Sequence, residues 1–148
     1  MKKEYWSLIL IIIILAIIGT YFITSEEYVP NFGPVEIESG SITVDDQYEL
    51  DQVYLEVESS EPGFVAIYGS MGEAPGETIG VSDYFIEGEH QITIALDKIM
   101  IPGLTYITIL HVDDGDDRFS LRDDHAAMVE GEVVRPSFDA RSIENDNQ

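Results

Sequence analysis

The chain has 148 residues, 29 of them acidic and seven basic, which gives a formal charge of −22. A surface of that sign repels phosphate backbones, so nucleic acid is not an expected partner. With no cysteine in the chain, disulfides, thiolate zinc sites, iron–sulfur clusters and thiol catalysis are excluded as well.

The first segment is read as a membrane anchor. Residues 1–5, with Lys2 and Lys3, form a cytoplasmic N-terminus. No charge interrupts residues 6–23, from Trp6 to Ile23. As a helix that stretch spans about 27 Å, close to the hydrocarbon thickness of a bilayer. Trp6 at one end and Tyr21 and Phe22 at the other suit the two interfacial belts. Basic residues precede the helix, and Glu26 and Glu27 follow it. The positive-inside rule then puts the C-terminal domain outside the cell membrane in a single-pass protein. A cleaved signal peptide is the rival, but the apolar run is not followed by small residues at cleavage spacing. A pilin-like filament subunit is a further alternative, without a Gly or Ala processing site before a downstream Glu.

Residues 24–40 read as an acidic linker, since Pro30, Gly33, Pro34, Glu36, Glu38 and Gly40 offer little to bury. Residues 41–140 carry a β pattern. Ser41 to Val44 opens it, and Val53, Leu55 and Val57 alternate with Tyr54, Glu56 and Glu58 as a half-buried strand. Glu61-Pro62-Gly63 is a turn, Phe64 to Tyr68 a short central strand, and Gly69 to Glu77 a loop rich in glycine. Thr78 to Phe85 is a strand, Glu87-Gly88-Glu89 a turn, and Ile92, Ile94 and Leu96 mark a further half-buried strand. Pro102-Gly103 turns the chain into the long run from Leu104 to Val112, rich in Thr, Ile and Tyr. Glu132 to Phe138 supplies a last strand, and residues 141–148 are a polar, disordered tail. About seven short strands between turns predict an all-β, immunoglobulin-like two-sheet antiparallel sandwich, with a closed barrel as the alternative.

The residues with chemistry are the histidines and the acidic loop. His90 precedes the Pro102-Gly103 reversal and His111 follows it, so both are expected at one end of the domain, whether their strands pair or face each other across the sandwich. A hairpin centred near Met100 and Ile101 would set them opposite each other. Parity puts His90 with Ile92 and Ile94, and His111 with Ile107 and Ile109, so both could face the rim of the core. Asp113, Asp114, Asp116 and Asp117 follow His111, and Asp123, Asp124 and His125 can fold back on them. Carboxylate oxygens suit Ca²⁺, and imidazole with carboxylate suits Zn²⁺ or Cu²⁺. The candidate metal ligands are therefore His90, His111, Asp113, Asp116 and Asp117. The bland reading is turn chemistry, because Asp and Gly tolerate left-handed backbone. The spacing is not that of an EF-hand, and a blue-copper site would need a cysteine. Ser82 lacks the strand–turn–helix setting of a nucleophile elbow, and no nucleophile has a placed base.

Pro75 to His90 and Leu110 to Asp116 resemble a domain of unknown function common in exported and surface-anchored proteins of haloarchaea and other prokaryotes. The shared pattern is Gly-x-x-x-Gly-x-Ser-x-Tyr, Gly-x-His, then a long strand ending in His-x-Asp. Here it is carried by Gly76, Gly80, Ser82 and Tyr84, by Gly88 and His90, and by His111 and Asp113. Gly63 to Tyr68 also fits, and the likeness covers roughly residues 42–140. Members often carry Asp-Gly-Pro-Tyr after the acidic loop, where this chain has Arg122-Asp123-Asp124-His125. The resemblance implies a secreted β-sandwich module without an established activity. The expected role is a membrane-anchored extracytoplasmic module for interaction with other cell-surface proteins or for envelope structure, not an enzyme. A divalent-cation-binding domain is the alternative.

Overall fold

The computed structural model describes residues 33–72 and 74–142. The expected cytoplasmic residues, the anchor helix and most of the linker lie outside the described residues, as does the end of the tail. Among the described residues, no helix is long and apolar enough to cross a membrane.

The described chain is all β. Its strands are β1 (Val35–Glu36), β2 (Gly40–Thr43), β3 (Gln52–Ser59), β4 (Gly63–Met71), β5 (Ala74–Val81), β6 (Gly88–Ala95), β7 (Thr105–Val112), β8 (His125–Val129), β9 (Glu132–Val133) and β10 (Ser137–Asp139). A three-stranded sheet runs β2-β3-β6. A seven-stranded sheet runs β1-β8-β7-β4-β5, with β10 added to β7 and β9 to β8. All strand pairs are antiparallel except β1 with β8.

Burial follows the side-chain period of two. In β3, Val53, Leu55 and Val57 are buried, while Tyr54, Glu56 and Glu58 face water. From Gly63 to Tyr68, β4 is buried at every position, because both faces of its sheet are covered. One face puts Val65, Ile67, Tyr106 and Leu110 against Val53, Leu55, Val57 and Ile94 of the three-stranded sheet, in a single core. The opposite face puts Ala66, Tyr68, Ile107 and Ile109 under Phe119, Ala126 and Val133, a second and smaller core.

Several strands depart from the sequence expectation. The Gly69–Glu77 stretch is largely strand, because β4 and β5 extend together through register shifts at Tyr68 and Ser70. Bulges of this kind absorb glycine, and an edge strand such as β5 tolerates Pro75. The expected last strand is split at Pro136, which has no amide to donate. Its carbonyl instead accepts from the Thr108 amide and hydroxyl, both at 2.9 Å. Neither β1 nor β8 stands out in the sequence. Ile37, within the stretch read as linker, is buried, and Val35 pairs with Ala127. Finally, β6 and β7 do not pair. The segment between Ala95 and Thr105 carries the chain from one sheet to the other.

Candidate functional site

The site is built where β7 leaves the sheet. Gly63 starts β4 opposite Val112 at the same end, and a Cβ there would stand 2.0 Å from the His111 carbonyl oxygen. Only glycine permits that approach, so β4 and β7 close tightly beside His111. The 113–124 loop then turns twice on its own side chains. Asp113 Oδ2 accepts from the Gly115 amide at 2.9 Å, and Asp116 Oδ1 accepts from the Arg118 amide at 2.9 Å. Gly115 and Asp117 take positive φ, as these turns require.

Asp124 closes the loop. Its side chain is buried, with Oδ1 accepting from the Asp114 amide at 3.1 Å and Oδ2 from the Ser120 amide at 2.6 Å. Its backbone carbonyl accepts from His111 Nδ1 at 3.0 Å. That bond puts the ring proton on Nδ1 and leaves Nε2 to accept from the Tyr68 hydroxyl at 2.9 Å. Phe119 covers this pair edge-on, 5.3 Å from the His111 ring and 5.6 Å from Phe64. Tyr84 also packs edge-on against Phe64, at 5.7 Å.

Burial sets the protonation of the pair. It holds His111 below its ordinary value, against the favourable Asp124 carbonyl, so the ring is neutral at pH 7. Burial pushes the Tyr68 phenol up to about 12, against a smaller opposing pull from the Thr78 hydroxyl on the neighbouring strand. The Thr78 hydroxyl is itself buried there without a hydrogen bond of ordinary geometry. Asp114 is held above the usual carboxylate range, by desolvation first and then by the Asp116 and Asp124 charges.

The two histidines are at one end but do not converge. His90 lies opposite Val57 and therefore faces the inter-sheet core, whereas His111 lies opposite Phe64 on the other face of the seven-stranded sheet. The sheet itself separates them. The register that would pair them is absent, because β6 pairs with β3 and β7 with β4. Each ring donates to a backbone carbonyl: His111 to Asp124, and His90 Nε2 to Ile86 at 2.8 Å, with its ring 5.4 Å from Phe85. His125 pairs with Val112 at the start of β8.

The carboxylates that do come together are those of Asp113, Asp114 and Asp124, whose oxygens lie within 4.8 Å of one another. Asp116 and Asp117 lie outside that group. Tyr68, Phe119 and Asp124 are the contributors that sequence spacing did not single out as a set. The one available signal is parity, which puts Phe64 and Tyr68 on one face of β4. Ser82 is spent on backbone: its Oγ accepts from the Val65 amide at 2.9 Å, and its amide donates to the Val65 carbonyl at 2.9 Å.

The shared motif residues thus serve as turn, ladder and clasp groups. No curated protein and no solved structure matches this chain. The model of a domain of unknown function, DUF7282, matches residues 40–140, with Ser82, Tyr84, His90, His111 and Asp113 inside it, and the chain belongs to that family.

Proposed function

We propose that the chain is a membrane-anchored, extracytoplasmic module of immunoglobulin-like sandwich type, with a non-catalytic role in surface interaction or envelope structure. One observation carries the non-catalytic part. The imidazoles of His90 and His111, the Ser82 hydroxyl and the Asp124 carboxylate, all groups able to do acid–base or nucleophilic work, are engaged with backbone amides and carbonyls. A catalytic base must reach a substrate proton, and His111 has both ring nitrogens satisfied beneath Phe119. The anchor part is supported by the uncharged Trp6–Ile23 stretch after Lys2 and Lys3. The test joins topology to turnover. Protease added to intact cells should remove the domain, and purified full-length protein should show no hydrolytic or redox turnover. Turnover abolished by His90→Ala or His111→Phe overturns the reading.

A second reading has its own observation. Asp113 Oδ1 is buried without a hydrogen-bond donor, beside the Asp114 and Asp124 carboxylates. Hard oxygens so grouped would hold Ca²⁺. Binding only to the folded chain must raise its melting point. An unchanged melting point at millimolar Ca²⁺, with no calorimetric heat, removes this reading.

A further inference from the structure

The segment between β6 and β7 is apolar and pinned. The Met100 amide donates to the Leu50 carbonyl at 2.7 Å, the Ile101 amide to the Tyr106 hydroxyl at 2.8 Å, and the Gly103 amide to the Ala140 carbonyl at 2.7 Å. Met100 is buried. Its neighbours are thereby held outward: Ile99 is 71 % exposed, Ile101 59 % and Leu104 49 %. Tyr48 and Met71 are exposed at the same end, where Gly69–Gly72 flanks Gly103–Tyr106 across an open cleft. Single exposed aliphatics are ordinary on any surface, but three in one fixed loop are not. Because backbone bonds already hold the loop, little ordering entropy opposes docking.

Charge decides what can cover it. Asp51 and Asp97 border the loop, since the Leu96 amide bonds to the Asp51 carbonyl and the Asp97 amide to Ile79. Glu49 precedes the Leu50 carbonyl that holds Met100. The two cations at this end do not offset them. Lys98 is bound to both Glu77 oxygens at 2.6 Å, and Arg141 is bound to Asp46. A second copy would bring like charge to like charge, and an anionic bilayer would do the same. A neutral bilayer would strip water from the three carboxylates without supplying partners.

We propose that Ile99, Ile101 and Leu104 form a docking knob for a protein partner with an apolar groove rimmed by Lys or Arg. The knob rests on the reading of the chain as an interaction module and names the chemistry of the partner. It sits at the Thr105 end of β7, whereas the described chain enters at the Val112 end, where β1 runs beside β8.

The probe is a synthetic amphipathic helix of Leu and Lys, added to full-length protein in phosphatidylcholine nanodiscs. Hydroxyl-radical footprinting should show side-chain protection confined to Ile99, Ile101 and Leu104 and to the neighbouring Tyr48, all exposed in the free chain. The Ile99→Ser/Ile101→Ser/Leu104→Ser variant should bind about tenfold more weakly or worse. Glu49→Gln/Asp51→Asn/Asp97→Asn should also bind more weakly and with a smaller salt dependence. Protection elsewhere on the acidic surface overturns the proposal, as does equal affinity of the serine variant. So does a knob already protected without the peptide, whether by the nanodisc or by a second copy. The footprint on the parent needs no variant, so it decides even if the serine variant does not fold. Failure here leaves the non-catalytic reading intact, because that reading falls only on turnover.

Discussion

Two residues show how much of this site is backbone geometry. Gly63 has no Cβ because the His111 carbonyl occupies that space, at 2.0 Å from where the atom would stand. Backbone cannot yield as a flexible side chain does, so Gly63→Ala must part β4 from β7. The expected loss is about 4 kcal/mol or more, in the range reserved for core disruption. Urea unfolding measures it, and a loss below ~1 kcal/mol would mean the strands open without penalty. Tyr68 acts through ionisation. Its phenol is raised from 10.0 to about 12 in the fold, so above pH 10 the unfolded chain loses that proton first. The stability it contributes is full below pH 10 and is lost as pH rises through 12, a fall of about 2–3 kcal/mol. Tyr68→Phe should flatten that alkaline limb relative to the parent, although the exposed tyrosines remain. His111 has the opposite sign. Its folded value is lowered, so its contribution is full above the ordinary 6.5 and is lost as pH falls through the folded value. Denaturant midpoints across both limbs check the two signs.

At the scale of elements, alternation is more informative than composition. Val53, Leu55 and Val57 reveal β3, and Ile92 and Ile94 reveal β6, because one buried face leaves a period of two. The long run into His111 reveals β7 but not its neighbours, since a strand buried on both faces carries no alternation to show which partner it takes. Hence, of the two arrangements left open, β6 and β7 take the one in which they lie in different sheets, and His90 and His111 are not juxtaposed. The Gly69–Glu77 segment departs from expectation for a different reason. Glycine and proline mark loops by local conformation, while pairing across bulges is decided by the partner strand. Of the site, the Asp113–Asp117 turns are legible because Asx turns are local, and the return of Asp124 onto them is anticipated, but its role as their clasp is not, because its amide partners lie four and ten residues away. Ser82 belongs with the long-range class, extending the β4–β5 ladder by a side chain beyond Val81. Ser82→Ala leaves the buried Val65 amide without its acceptor, at a cost of about 1–3 kcal/mol. Accelerated exchange of that one amide would accompany the loss, and unchanged exchange would show that the hydroxyl is dispensable.

Across the whole molecule, repulsion among carboxylates outweighs attraction between opposite charges. The formal charge is −22, and among the described residues the ion pairs are Lys98–Glu77 and Arg141–Asp46. Both have exposed members, so neither offsets much of that excess. Folding draws the carboxylates closer together than they stand in the open chain, which opposes the compact state. Salt weakens this opposition more than it weakens two exposed pairs, because the screening length shrinks from about 10 Å at 0.1 M to about 3 Å at 1 M. The melting midpoint should therefore climb with NaCl, by about 5 °C or more over that range if screening recovers about 1 kcal/mol. KCl should act as NaCl does, since screening depends on ionic strength and not on the cation. A midpoint that stays flat or falls in both salts would mean that the carboxylates are too far apart, or too well hydrated, to strain the fold. Ca²⁺ separates the two readings of the acidic loop on the same curve. At matched ionic strength it adds nothing if only screening operates, but it raises the midpoint further if Asp113, Asp114 and Asp124 hold it, because a bound ion is withheld from the unfolded chain.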